Sequence, residues 1–223
     1  MIDTHCHLTS SRFDKDRAEV LARARRAGVA RVVEVGFDLA SSGRALALAA
    51  AEPDLWAAVG VHPHEVAKAP RDARERLALL ARAPQVVAIG EIGLDFYRNL
   101  SAPEVQRAWL ADQLALAAEV GLPVVIHTRD AMGEMLDTLA ARAPARRGIL
   151  HCWSGDAAQA KRAVDLGFAL GIGGTVTYGS TALEEAVRAV PREKKLWDCL
   201  ASSPTSSVIL GPCRCAIRFV YAG

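Results

Sequence analysis

The chain has 223 residues, about half of them apolar, and its 27 basic residues nearly balance its 25 acidic residues. That length suits a single α/β domain with a large core, and the near-neutral charge argues against binding to nucleic acid or membranes through a bulk field. The start shows no basic leader, and no apolar run approaches the ~18 residues of a membrane span, which predicts a cytoplasmic protein. Five cysteines without regular spacing predict reduced thiols.

Seven short apolar segments alternate with longer amphipathic segments along the chain. They have the length and composition of buried parallel strands and comprise residues 1–6, 30–35, 56–61, 86–91, 123–127, 148–152 and 168–172. Two intervening segments have clear helical periodicity: residues 15–27, followed by Gly28, and residues 103–120, followed by Gly121. The alternation predicts right-handed βαβ units and a parallel sheet, either open and doubly wound or closed into a barrel.

Histidines mark the ends of the predicted strands. The six histidines are His5 and His7 at the end of the first strand segment and just after it, His62 and His64 just after the third, His127 in the fifth and His151 in the sixth, and Glu91 ends the fourth. Alternate residues of a strand face the same side, so His5 and His7 point together, as do His62 and His64. An open sheet gathers ligands at one switch point, whereas a closed barrel brings all these strand ends together. The pattern therefore predicts a barrel with a metal centre at one end.

Each of these residues has an ordinary interpretation when taken alone. A single His-x-His pair is usually packed or solvated, a carboxylate after a strand often caps the next helix, and one buried histidine is usually a satisfied polar group. Their joint placement at strand ends favours metal binding over these alternatives.

Five ordered motifs resemble those of the TatD family of metal-dependent deoxyribonucleases. They are Asp3-Thr4-His5-Cys6-His7-Leu8, Gly60-Val61-His62-Pro63-His64-Glu65, Gly90-Glu91-Ile92-Gly93-Leu94-Asp95-Phe96, Val125-Ile126-His127-Thr128-Arg129-Asp130-Ala131 and Leu150-His151-Cys152-Trp153-Ser154-Gly155. The resemblance runs from Met1 to about Lys194. It implies a TIM-type (β/α)8 barrel of the amidohydrolase kind, two divalent cations and hydrolysis of DNA phosphodiester bonds.

The resemblance also implies roles for the matching residues. It makes His5 and His7 ligands of one cation, His127 and His151 ligands of the other, and Glu91 a catalytic carboxylate shared by both. Imidazole ligands suit Zn²⁺ or Mn²⁺, whereas Mg²⁺ prefers more oxygen ligands. The expected cofactors are therefore two divalent ions, Mg²⁺, Mn²⁺ or Zn²⁺, that clamp a phosphate and activate a water.

Four further residues are predicted to support the centre. Asp3 shares a face with His5 and either orients that imidazole or hydrogen-bonds at the bottom of the barrel. His62 and His64 are placed to meet substrate phosphate, with His64 also assisting proton transfer, unless they form a structural His-Pro-His turn. Arg129 offers a guanidinium to a phosphate.

Asp95, four residues after Glu91, is interpreted as structural, either steadying the motif or capping the next helix.

The resemblance is expected to end after Lys194. Family members continue into an eighth strand that ends in Glu-Thr-Asp, whose aspartate is a metal ligand, whereas this chain reads Lys195-Leu196-Trp197-Asp198-Cys199. The predicted division is a barrel over residues 1–194 and a divergent tail over residues 195–223, with an atypical or incomplete eighth strand. Either Asp198 is a substitute ligand, or the tail is an unrelated sequence. The second is favoured, because nothing after Asp198 restores the pattern.

The predicted function is metal-dependent hydrolysis of DNA, most simply as a monomeric exonuclease without an obligate protein partner. Two alternatives stay open. One is another amidohydrolase-type ester hydrolase, such as an aminoacyl-RNA deacylase, although such enzymes often bridge their metals with a modified lysine where this chain has Glu91. The other is a catalytically impaired metal-binding remnant that lacks the aspartate of the eighth strand.

Overall fold

The structure is a computed structural model that describes residues 1–198. Eight strands alternate with seven α-helices. The strands are β1 (Ile2–Cys6), β2 (Arg31–Val35), β3 (Leu55–Val59), β4 (Val86–Asp95), β5 (Val124–Arg129), β6 (Gly148–Leu150), β7 (Ala169–Ile172) and β8 (Lys195–Trp197). The helices are α1 (Arg17–Arg26), α2 (Leu39–Ala51), α3 (Ala73–Leu80), α4 (Pro103–Val120), α5 (Met132–Arg142), α6 (Ala157–Asp165) and α7 (Thr181–Ala189).

All neighbouring strands pair in parallel, in the order of the sequence from β1 to β8. Strands β1 and β8 also lie side by side. The Thr4 hydroxyl of β1 donates a 2.8 Å hydrogen bond to the carboxylate of Asp198, which directly follows β8. This arrangement is the predicted TIM-type (β/α)8 barrel. In the part of the chain that the structure describes, no helix is long and apolar enough to cross a membrane.

The eighth strand is short and lies within the segment that the sequence assigns to the tail. It pairs with β7 through Leu170 with Lys195, Gly171 with Leu196 and Ile172 with Trp197. A Cβ atom on Gly171 would collide with the carboxylate of Asp198, so a glycine is required beside it. The barrel thus includes residues that the predicted boundary at residue 194 leaves out, and the rest of the predicted tail, from residue 199, lies outside the described residues.

The interior of the barrel leads directly to the candidate site. A small apolar cluster takes one residue from each of five successive strands: Val35, Ala58, Ala88, Val125 and Ile149. Leu196 of β8 packs against it. Because alternate residues share a face, the positions two residues beyond Val125, Ile149 and Leu196 continue the same inner face, and they are His127, His151 and Asp198. A larger cluster fills the space between strands and helices.

Candidate metal centre

Glu91 lies at the middle of the site because β4 is irregular at that point. The pairing of β4 with β5 shifts register between Ile89 and Ile92, and the backbone N–H of Glu91 donates to the Gly36 carbonyl at 2.9 Å. Such irregularities re-aim side chains at sheet edges and active sites. The Glu91 side chain is consequently buried among the imidazoles that follow the other strands.

His5, His7 and Glu91 form a compact set of donor atoms. The Nε2 atoms of His5 and His7 are 3.1 Å apart, and they lie 3.4 and 3.7 Å from Glu91 Oε2. Ligand atoms bound at ~2.1 Å around one tetrahedral ion are about 3.4 Å apart. The three atoms therefore already have the spacing that a shared cation requires.

Strand β2 holds the segment that carries His7. The carbonyl of Val35 lies 2.8 Å from His7 Nδ1; a carbonyl only accepts, so Nδ1 carries the proton and Nε2 keeps its lone pair. The buried carboxylate of Glu34 accepts hydrogen bonds from the backbone N–H groups of Leu8 (2.7 Å) and Thr9 (2.8 Å) and from the Thr9 hydroxyl (2.7 Å). The loop after β1 is thereby fixed to its neighbouring strand.

Asp198 joins three elements at the closure of the barrel. Its carboxylate accepts hydrogen bonds from the Thr4 hydroxyl (2.8 Å), the Cys152 backbone N–H (2.8 Å) and His151 Nδ1 (3.0 Å). Burial would raise the pKa of Asp198, but the hydrogen bond from His151, the charges of His151 and His5 and the hydrogen bond from the Cys152 backbone together hold that pKa below its ordinary value. Since Nδ1 of His151 donates to Asp198, its Nε2 is left as an electron-pair donor.

His5 stacks on His151, with ring centroids 3.5 Å apart and an interplanar angle of 15°. Burial, reinforced by His151, lowers the pKa of His5 to about 4, so the ring is neutral at pH 7. Its Nδ1 is buried and has no hydrogen-bond partner among residues 1–198. We refer to His5, His7, His151 and Asp198 as the β1/β8 side of the centre.

The opposite half, the β3–β5 side, comprises His62, His64, Asp95 and His127. His127 lies between two carboxylates, with Nδ1 3.0 Å from Glu91 Oε1 and Nε2 3.1 Å from Asp95 Oδ2. His64 Nε2 donates to the same Asp95 oxygen at 2.8 Å, and His62 Nε2 is 3.6 Å from Glu91 Oε1.

Electrostatics differ among the histidines of the β3–β5 side. Burial disfavours the charged form of His127, but its hydrogen bonds with Asp95 and Glu91 outweigh burial and raise its pKa to about 9. Burial lowers the pKa of His62 to about 3. Burial would raise the pKa of Glu91, yet the surrounding imidazoles hold that pKa well below its ordinary value. This side therefore carries both a neutral and a protonated imidazole when no cation is bound.

The structure brings the five predicted ligands around one centre: His5, His7, Glu91, His127 and His151. Among residues 1–198, two further groups have donor atoms close enough to hold an ion: His5 with Glu91 and His151, and His62 with Glu91 and His127. This grouping differs from the one that the resemblance implies, because His151 stacks on His5 and His127 lies across Glu91.

The supporting residues have the following positions. Asp3 accepts a hydrogen bond from the backbone N–H of His5 at 3.2 Å, on the strand below the centre. His62 is buried beside Glu91 rather than exposed at the mouth of the barrel, which is the end where the centre lies. Arg129 is exposed at the mouth, with its guanidinium stacked on Tyr97. Asp198 takes the position at the end of β8, as in the alternative that makes it a substitute ligand.

Two residues, Asp95 and Glu34, make contacts at the site that the sequence analysis does not predict. Asp95 binds both His64 and His127, which the structural role expected of it does not include. Glu34 is not among the predicted site residues, although a carboxylate is unusual in an apolar run such as Val32-Val33-Glu34-Val35. The structure explains this carboxylate, because Glu34 accepts the hydrogen bonds that fix the loop after β1, where His7 lies.

Comparison with known proteins gives a consistent result. The family model described as "TatD related DNase" matches residues 2–198, which includes β8 and Asp198 and extends beyond the limit at Lys194. A protein of Klebsiella pneumoniae (strain 342) named "3'-5' ssDNA/RNA exonuclease TatD" is 42% identical over 199 residues, covering 88% of this chain and 76% of that protein. The "Uncharacterized metal-dependent hydrolase YabD" of Bacillus subtilis (strain 168) is 35% identical over 208 residues, covering 92% and 82%.

Solved structures agree with the sequence comparisons. The crystal structure of YjjV, a TatD homologue from Escherichia coli K12, superposes with a TM-score of 0.85 at 35% identity and covers 89% of this chain and 78% of that chain. The TatD family hydrolase of Entamoeba histolytica superposes with a TM-score of 0.81 at 23% identity, covering 89% and 73%, and supports the fold alone. By its motifs, its fold and these matches, this chain belongs to the TatD family of related DNases.

Proposed function

We propose that this chain is an exonuclease that hydrolyses phosphodiester bonds of DNA with two divalent cations, one on each side of Glu91. The observation that carries the proposal is that the two oxygens of the Glu91 carboxylate face different groups of imidazoles. Its Oε2 faces His5 and His7, and its Oε1 faces His62 and His127. A carboxylate whose two oxygens face separate imidazole groups is suited to bridge two ions.

The donor set fits divalent cations that accept nitrogen ligands. His7 and His151 each have Nδ1 fixed by an oxygen acceptor, so their Nε2 atoms are available, and His5 is neutral at pH 7. Glu91 and Asp198 supply the oxygen donors. This mixture favours Mn²⁺ or Zn²⁺ over Mg²⁺.

Around the bound cations, the chain's own residues would orient the substrate and move protons. The cations supply neutralisation of phosphate charge and a lowered pKa for water. Because Asp95 accepts the Nε2–H of His64, the neutral imidazole keeps a lone pair on Nδ1 that can take a proton. His62 Nδ1 accepts from the backbone N–H of His64 at 3.1 Å, so its Nε2 carries a proton that can be donated to a phosphate oxygen. Arg129 adds a permanent positive charge at the mouth.

The test is release of nucleotides from end-labelled single-stranded DNA by protein stripped of metal and then supplied with Mn²⁺, Zn²⁺ or Mg²⁺. Label on the 3′ or the 5′ end reports polarity, and Glu91→Gln, which keeps the shape of the side chain, is the control. We expect metal-dependent release by the wild type and none by the variant. A folded, metal-loaded protein that spares DNA but cleaves an aminoacyl-RNA ester would replace the nuclease by the deacylase alternative.

The sequence prediction of a monomer in the cytoplasm belongs to the same proposal. Light scattering on the purified, metal-loaded protein tests the first part, and fractionation of the source cells tests the second.

A further inference from the structure

Tyr97 and Arg129 form a stacked pair at the mouth, outside the metal centre. The guanidinium carbon of Arg129 lies 3.8 Å from the centroid of the Tyr97 ring. Arg129 ends β5, where it is the register partner of Asp95, and the backbone N–H of Phe96 donates to the Arg129 carbonyl at 3.0 Å. Backbone pairing therefore keeps the two side chains adjacent.

The turn that carries Tyr97 is tied to the centre itself. Asp95 accepts a hydrogen bond from the Arg98 backbone N–H at 2.8 Å while its other oxygen contacts His127 and His64. The buried side chain of Gln106 accepts from the Asp95 backbone N–H at 2.8 Å and donates to the Ser101 carbonyl at 2.7 Å. Both ends of the turn are thus anchored, and Tyr97 has a fixed place only two residues from a side chain that contacts His127.

The tyrosine is nevertheless open to solvent. It is 61% exposed although the guanidinium covers one face of its ring, so the other face is available to a ligand. Leu100 in the segment after β4 and Tyr178 in the segment after β7 are also exposed, whereas Met1, Ile2 and Leu79 lie at the start of the first strand or on α3, away from the mouth. An aromatic ring that is backed by a cation, rigidly held and left open beside a reaction centre has the features of a recognition element.

We propose that the open face of Tyr97, backed by Arg129, is a stacking subsite for one nucleobase of a single-stranded polynucleotide. This inference rests on the proposed function and adds the part of the substrate that the metal centre cannot recognise. Aromatic rings and arginine planes stack with any base, independent of sequence. The edge of the guanidinium can form hydrogen bonds with the neighbouring phosphate. Bases inside a duplex are stacked on each other, so the subsite selects single strands.

The experiment combines a protein change with a substrate change. Binding of fluorescein-labelled single-stranded oligonucleotides to metal-stripped protein, followed by anisotropy, is measured for the wild type, Tyr97→Ala and Tyr97→Trp. Tyr178→Ala is the matched control, because Tyr178 is also highly exposed, in the segment that follows β7. Further oligonucleotides lack the three terminal bases at either the 3′ or the 5′ end but keep all phosphates.

We expect Tyr97→Ala to weaken binding about 5- to 20-fold, the scale of one stacked base. Tyr97→Trp should retain binding, and Tyr178→Ala should change it less than twofold. One of the base-free ends should weaken binding to the wild type by a similar factor, with no further loss in Tyr97→Ala. Equal effects of Tyr97→Ala and Tyr178→Ala, or additive losses from the two changes, would overturn the subsite.

The readout does not require hydrolysis, so the subsite and the nuclease proposal can fail separately. Binding that depends on Tyr97 without any cleavage would preserve the subsite and reject the reaction. Cleavage by a protein whose binding constant does not change when Tyr97 is replaced would preserve the reaction and reject the subsite. Absence of binding by the wild type and all variants would also reject the subsite.

Discussion

The β1/β8 side and the β3–β5 side of the centre contain the same kinds of residues in different electrostatic settings. On the β1/β8 side, His5 is buried against a second imidazole, and its pKa is lowered to about 4. On the β3–β5 side, His127 lies between Glu91 and Asp95, and its pKa is raised to about 9. At pH 7 the metal-free protein therefore has a neutral imidazole, His5, on one side and a protonated imidazole, His127, on the other.

The difference indicates that the two halves are not equivalent as candidate cation sites. A cation can bind the neutral imidazole of His5 without releasing a proton, whereas a cation that takes His127 as a ligand must release one. Binding on the β3–β5 side is consequently expected to be weaker near neutral pH and to strengthen as the pH rises.

Removing the link between the two sides should have the largest effect. Glu91→Gln takes the negative charge from both halves at once, so we expect hydrolysis to fall by about 10³-fold or more. Elemental analysis after dialysis against Mn²⁺ or Zn²⁺ should show cation loss from both halves. Two ions retained at wild-type affinity would contradict the bridging role.

Asp198→Asn tests the β1/β8 side alone. The variant loses the charge beside His151 while its shape is retained, so we expect about 10²- to 10³-fold lower activity. A stability loss of about 1–3 kcal/mol should accompany it, because buried donors lose their charged acceptor. Hydrolysis and urea unfolding measure the two effects, and wild-type activity in this variant would remove Asp198 from the site.

Asp95→Asn is the matched change on the β3–β5 side. Asp95 reaches the reaction only by orienting His64 and His127, so a reduction of about 10- to 100-fold in activity or cation affinity is expected. The pH–rate profile separates orientation from simple structural damage, since only the former shifts the profile. A loss as large as that of Asp198→Asn would show that the two sides contribute equally.

The smallest effect is the opposite response of the two sides to pH in protein kept metal-free with chelator. The pKa of His127 is higher in the folded state than in the unfolded state. Its protonation therefore contributes fully to the free energy of unfolding below the unfolded pKa of ~6.5, and this contribution is lost as the pH rises through about 9. The pKa of His5 is lower in the folded state than in the unfolded state. Its contribution to the free energy of unfolding is therefore complete above the unfolded pKa of ~6.5 and is lost as the pH falls towards about 4.

Urea unfolding of His127→Gln and His5→Gln against the wild type across pH 4–10 checks these signs. We expect the deficit of His127→Gln, about 1–3 kcal/mol at pH 6, to shrink by pH 10. The deficit of His5→Gln should shrink in acid instead. Parallel curves for the two variants would contradict the contrast between the sides.

Much of the barrel could be predicted because its signals are local. Short, mostly apolar runs predict β1 to β7, and the helix predicted over residues 103–120 has the bounds of α4. The candidate ligands could be predicted because they lie at or just after the ends of such runs. The alternation that aligns His127 with Val125 follows from strand geometry alone.

The remaining features depend on tertiary contacts. Strand β8 has three residues, too few for a periodic signal, and it forms where β7 and β1 provide its neighbours. Asp95 was expected to be structural because its approach to His127 depends on the irregularity of β4 around Glu91, which no local pattern reveals. Glu34 differs, because its charge within an apolar strand was visible in the sequence.

The hydrogen bond between Thr4 and Asp198 spans 194 positions of the sequence. During synthesis the first ligands leave the ribosome long before the aspartate does, because translation adds only about 5–20 residues per second. A nascent chain can thus hold His5 and His7 for seconds while the centre still lacks Asp198. On the proposed function, we therefore expect the nuclease centre to be complete only after Asp198 has been made and β8 has paired with β7.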